Sequence, residues 1–201
     1  MKDREIIAIL RGVRPDEVVD IATAILDAGI TRIEVPLNSP DPFDSIGKLS
    51  AAMGLRALIG AGTVLTTEDA ARVASVGGQM VVSPDCNTDV IEATKRTGMV
   101  SFPGVMTPSE CFRALRHGAD GLKVFPASVL GISGLKALRA VLPRSAKVYT
   151  VGGASSENFG EWIRAGATGF GIGTAIYQPG DTSEDVSGKA IKIVRAYDEA
   201  R

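Results

Sequence analysis

The sequence predicts an α/β protein, a compact (β/α)8 barrel of the TIM type forming a single domain over residues 1–201. Three observations predict it. Glycines that close helix-like stretches, Gly29, Gly54, Gly77, Gly98 and Gly118, recur 25, 23, 21 and 20 residues apart, and Gly166 follows after 48, room for two more units. Short apolar runs such as TRIEV, MVSFP, DGLKVF and TGFGIG follow these glycines. Finally, 201 residues divide into eight segments of about 25, the length of one βα unit.

Element by element, strands are expected near 5–10, 31–36, 56–62, 79–83, 99–103, 120–125, 147–151 and 168–173. Their near-continuous apolar character, alternating with amphipathic stretches, implies a parallel sheet covered on both faces. An open doubly wound sheet is the structural alternative, because closure leaves no local signature. Helix starts are legible in two places. Thr107-Pro108-Ser109-Glu110 is a capping box with proline at the first helical position, and Asp181 with Glu184 three residues on is an acidic relative of it.

Composition narrows the function. A net charge of −1, with lysines and arginines scattered along the chain, argues against nucleic acid or a membrane surface as a partner. Cys86 and Cys111 lie in separate segments and read as free thiols of a reducing cytoplasm. His117, the one histidine, falls in the last turn of a helix ending at Gly118. One histidine and two separated cysteines do not assemble an ordinary zinc site, so acid–base chemistry falls to Glu, Asp, Lys or Tyr.

Two charges then stand out. Lys123 interrupts the apolar run Leu122–Phe125, and Glu34 interrupts Ile33–Pro36; each lies two residues before a residue pair or a proline that closes its strand. In a barrel, strand C-terminal ends line the mouth where active sites form. The pair could be a structural ion pair or two side chains reaching water. It could equally be chemical: a desolvated lysine amine attacks carbonyls to form a Schiff base, and a nearby carboxylate shuttles the protons. Two glycine-rich stretches, Val151-Gly152-Gly153-Ala154-Ser155 and Phe170-Gly171-Ile172-Gly173-Thr174, end the last two expected strands, where such barrels present backbone N–H groups to phosphate. Gly60-Ala61-Gly62-Thr63 lacks the spacing of a P-loop, and its Thr63 hydroxyl is expected to face the mouth.

Together, ILRG, IEVPLNSP, GAGTV, FPG, LKVFPAS and VGG…GIGT resemble, in order and spacing over about residues 6–178, the class I aldolases that cleave 2-keto-3-deoxy-6-phospho-sugar acids. Within that family, Asn38 and Val151 stand where gluconate-specific members carry arginine and threonine, so the chain is more similar to the galactonate branch; SPDCNTD departs from the family pattern. The resemblance implies that Lys123 forms the Schiff base and Glu34 moves the protons. It also implies that Arg11 and Thr63 hold the substrate carboxylate, and that Gly153, Gly173 and Thr174 hold the phosphate. Asn38 and Val151 would set epimer preference. No metal or organic cofactor is implied, and the family is usually homotrimeric. The expected reaction turns 2-dehydro-3-deoxy-6-phospho-D-galactonate into pyruvate and D-glyceraldehyde 3-phosphate, with the gluconate epimer or both epimers as the alternative. Rival readings are an isomerase or synthase in which Lys123 only neutralises charge, a carboxylate–metal aldolase needing a second acid near Glu34, and a non-catalytic phospho-sugar sensor.

Overall fold

The apolar runs form one parallel sheet that curls into a nearly closed barrel, described for residues 3–201 in a computed structural model. In chain order, β1 (Ile6–Ile9) leads to α1 (Val18–Asp27), β2 (Arg32–Pro36) to α2 (Pro42–Met53), β3 (Leu58–Gly62) to α3 (Thr67–Ser75), and β4 (Met80–Val82) to α4 (Thr88–Arg96). There follow β5 (Val100–Phe102), β6 (Gly104–Val105), α5 (Pro108–Arg116), β7 (Leu122–Val124), α6 (Ala127–Val141), β8 (Val148–Val151), α7 (Phe159–Arg164), β9 (Gly169–Ile172) and α8 (Ser183–Glu199).

The described residues thus hold nine strands where eight were expected, because the expected strand 99–103 is interrupted at Pro103. Proline has no N–H to give to a ladder. β5 pairs with β4 and β6 with β7, so the two pieces form the ends of the order β5-β4-β3-β2-β1-β9-β8-β7-β6, joined through Pro103 itself. The Lys123 N–H donates to the Pro103 carbonyl (2.9 Å) and the Ser83 N–H to that of Phe102 (3.2 Å). One interrupted strand therefore completes the eight-unit ring. The SPDCNTD segment covers this seam: the Gly104 N–H donates to the Asp85 carbonyl (3.0 Å), and a Cβ at 104 would lie 2.1 Å from the Pro84 oxygen. Only glycine fits there.

Helix caps follow the local chemistry. The Thr107 hydroxyl accepts from the Glu110 N–H, and the Glu110 carboxylate accepts from the Thr107 N–H (2.8 Å), completing the expected box at α5. At α8 the box sits one residue later than expected, with Thr182 as cap and Asp185 at the third position. Asp181 is instead committed to the Gln178 N–H (2.7 Å) and the Lys189 ammonium (2.5 Å). Such a cap is worth about 1 kcal/mol.

Alternation along the strands separates two apolar layers. Ile6, Ala8, Ile33, Val35, Ile59 and Ala61 pack outward with the helices, whereas Ile7, Met80, Val82, Phe102 and Tyr149 form a separate cluster. Phe102 meets Tyr149 edge-on, with centroids 5.0 Å apart. At the N-terminal end of the barrel Glu5 accepts from the Tyr149 hydroxyl (2.5 Å) and pairs with Lys147 (2.9 Å) and Arg32 (3.1 Å). Burying each large apolar side chain contributes about 1.5–3 kcal/mol, so this floor is solid and leaves the opposite rim for chemistry. No helix among the described residues is long and apolar enough to cross a membrane.

Candidate active site

Strand register places Glu34 beside Ile9 on one side and Gly60 on the other, and Lys123 beside Gly104 and Tyr149. Both charged side chains are buried, Glu34 at 2% and Lys123 at 6% exposure. Burial pushes the Glu34 carboxyl up to about 7, against the opposing pull of the Lys123 and Arg11 charges. Burial likewise lowers the Lys123 ammonium; Glu34 opposes that shift and Arg11 adds to it. The amine also lies 5.0 Å from the centroid of the Phe125 ring. A buried lysine that gives up its proton readily and a buried carboxyl able to hold or release one near neutrality thus act on each other's charge, a combination able to support imine formation.

Gly62 makes room for the acid. A Cβ there would lie 1.5 Å from Glu34 Oε2. That oxygen is buried with no hydrogen-bond partner, a costly arrangement for a carboxylate and one suited to meeting a ligand or water. Gly62→Ala should therefore displace the carboxylate. A misplacement of about 1 Å costs on the order of a hundredfold in rate, so kcat should fall by about that factor with the far-UV spectrum unchanged; turnover within twofold of the parent would contradict this role.

The rim carries the remaining residues. Arg11, just after β1, donates to Asn38 Oδ1 and, at 3.4 Å, to the Thr63 hydroxyl. Thr63 holds a left-handed backbone (φ 57°) that a β-branched residue adopts only under strain. Asn38 is held on Arg11, a contact that its sequence position did not reveal. Arg11 also lines one cavity of about 380 Å³, together with Phe125, Val151, Gly153, Gly173 and Thr174. After β9 the chain makes a helical turn, the N–H groups of Ile176 and Tyr177 donating to the Gly173 carbonyl (2.8 and 3.1 Å) and leaving the start of the turn open to the cavity. Gly153 (φ 110°) approaches Ser128 so closely that a Cβ would lie 2.9 Å from the Ser128 Cβ, and Asn158 braces its carbonyl (2.9 Å). Gly153, Gly173 and Thr174 thus bring backbone from the ends of β8 and β9 to one cavity. Val151 fits because its strand neighbour is Gly171, where a Cβ would lie 2.6 Å from the valine Cγ2.

Residues 1–190 match the family model described as KDPG and KHG aldolase. The chain belongs to that family. The aldolase is 48% identical over 196 residues, 98% of its length and 92% of the relative's, to a probable 2-dehydro-3-deoxy-6-phosphogalactonate aldolase of Rhizobium meliloti (strain 1021). It is 44% identical to the 2-dehydro-3-deoxy-6-phosphogalactonate aldolase of Escherichia coli (strain K12), over 97% of this chain and 95% of the other. A solved structure described as "Native KDPGal structure" superposes with a TM-score of 0.97 at 43% identity, over 100% of the aldolase and 97% of that chain. The barrel expected from the sequence is thus the fold, and the family expected from its motifs is the family. Cys86 and Cys111 are free thiols, and the His117 ring pairs with Glu92 (2.6 Å) on the surface. Among the described residues no three His, Cys, Asp or Glu side chains gather as a metal-binding group.

Proposed function

We propose that the protein cleaves 2-dehydro-3-deoxy-6-phospho-D-galactonate to pyruvate and D-glyceraldehyde 3-phosphate through a Schiff base on Lys123. The reading is carried by the juxtaposition of a buried, readily deprotonated amine with a buried carboxyl whose Oε2 has no partner. The Lys123 amine adds to the C2 carbonyl, and Glu34 relays protons as water leaves and the iminium forms. Glu34 then accepts the C4 hydroxyl proton while C3–C4 breaks, its electron pair passing into the iminium to give an enamine. The aldehyde departs, C3 is protonated, and hydrolysis releases pyruvate and the free lysine.

Arg11 and Thr63 hold the carboxylate, since a guanidinium offers forked donors to that group. Gly153, Gly173 and Thr174 hold the phosphate. Val151 presents an apolar wall where a hydroxyl-bearing residue would add a hydrogen bond, and with Asn38 it sets the preference between C4 epimers. The chemistry needs neither a metal nor an organic cofactor. The enzyme acts on a small phosphorylated sugar acid in the cytoplasm as a homotrimer, with no nucleic acid or membrane as partner.

Incubation with pyruvate and borohydride in the presence of EDTA should leave one reduced pyruvyl group per chain, mapped by peptide mass to Lys123. An adduct elsewhere, or none, would defeat the Schiff-base reading. Comparing kcat/KM for the two C4 epimers then tests the substrate, with the galactonate epimer expected to be favoured.

A further inference from the structure

We infer that Ser39 is a positioning residue for carboxylate recognition, fixing the backbone from which Arg11 reaches the site; the inference rests on the aldolase reading above. Arg11 lies on an exposed loop, and a long side chain on a mobile backbone would bind a carboxylate poorly, because ordering it costs entropy at every binding event. The structure shows how that loop is held. The Gly12 N–H, adjacent to Arg11, donates to the Ser39 hydroxyl (2.9 Å), and Ser39 is buried at 7% exposure. Gly12 is itself left-handed (φ 84°), and a Cβ there would lie 2.8 Å from Pro179 Cγ, so the loop is pinned from the β9 side as well.

Ser39 belongs to an equally constrained segment. Its N–H donates to the Pro36 carbonyl (2.9 Å), and the Leu37 N–H donates to the Gly62 carbonyl (2.8 Å). Two residues on, Asp41 holds a left-handed backbone (φ 39°) immediately before Pro42. The neighbouring Asn38 grips the Arg11 guanidinium, while Ser39 grips the peptide that follows Arg11. Consecutive residues of one rigid loop therefore fix both the tip and the root of the arginine. Without the Ser39 hydroxyl the Gly12 N–H loses its partner, and the root of Arg11 is free to shift relative to Thr63 and the mouth.

The test is Ser39→Ala, with Ser39→Thr restoring a hydroxyl, read by borohydride trapping against two ketones. Pyruvate carries the carboxylate; acetone forms the same imine without it. Loss of positioning should raise the half-saturating pyruvate concentration by about tenfold in Ser39→Ala, and KM for the phosphorylated substrate in proportion, with a smaller change in kcat. Acetone trapping should stay as in the parent, and Ser39→Thr should recover most of the pyruvate shift. A pyruvate shift under twofold, or equal shifts for both ketones, would overturn the inference. Should Ser39→Ala fail to fold, Ser39→Gly, which also lacks the hydroxyl, takes its place with the same expected shifts and the same overturning results. A parent protein that traps neither ketone would instead defeat the aldolase reading itself.

Discussion

Lys123→Met should abolish turnover, by at least about 10⁴-fold in kcat, while the barrel stays folded. No other lysine among the site residues takes over the carbonyl attack, and methionine supplies the bulk of the lysine stem without its nitrogen. Stability is expected to hold or rise. The amine is buried and its ammonium already disfavoured by desolvation, so replacing it with an apolar group of similar volume removes a penalty. Its partner does not become a stranded charge, because the Lys123 charge is what pulls the Glu34 carboxyl downward; without it Glu34 keeps its proton to still higher pH and is neutral. Urea or thermal unfolding should show a midpoint no lower than the parent's, and mass spectrometry should show no pyruvyl adduct. Retention of more than about 1% of kcat would mean that Lys123 is not the nucleophile.

What the sequence disclosed and what it hid divide along a physical line. Lys123 and Glu34 were legible because a charge inside an apolar strand is a local anomaly, visible without knowing what lies across the barrel. The strand-and-glycine rhythm was legible for the same reason: Gly29, Gly77, Gly98, Gly118 and Gly166 all take the left-handed backbone of a helix stop, although Gly54 remains right-handed. The fifth strand was expected to run unbroken over 99–103; its interruption at Pro103 was missed, because pairing β5 with β4 and β6 with β7 is a fact of closure rather than of either strand. That Gly62 vacates volume for a carboxylate was hidden, because it depends on β2 and β3 lying in register. Ser39 and Asn38 were equally hidden as holders of the Arg11 loop, since both contacts join residues 27 apart. Asn38 stood out in the sequence only through the family resemblance, which did not disclose its hydrogen bond to Arg11.

Glu34→Gln is the second large effect, and its pH dependence separates a proton shuttle from a structural partner. Glutamine keeps the shape of the carboxyl but neither accepts nor returns a proton, so kcat should fall by about 10³-fold. In the parent, cleavage requires the ionised carboxylate, and kcat/KM should rise with pH through a limb centred near 7, where burial has placed the Glu34 carboxyl. That limb should vanish in the variant, and the Lys123 limb should move to lower pH because the Glu34 charge that raises it is gone. Stability should answer in the opposite sense. The folded-state value near 7 lies above the 4.5 of an unburied glutamate, so between those values the folded chain binds more protons than the unfolded one. The contribution of Glu34 is thus fully present below about 4.5 and is lost as pH rises through about 7, a change on the order of 3 kcal/mol. Glu34→Gln has no such slope, so the parent should lose ground to it steadily across that window in urea titrations. Parallel stability curves would mean that Glu34 ionises as an ordinary carboxylate. The site would then lack the proton reservoir near neutrality on which the Lys123 chemistry depends.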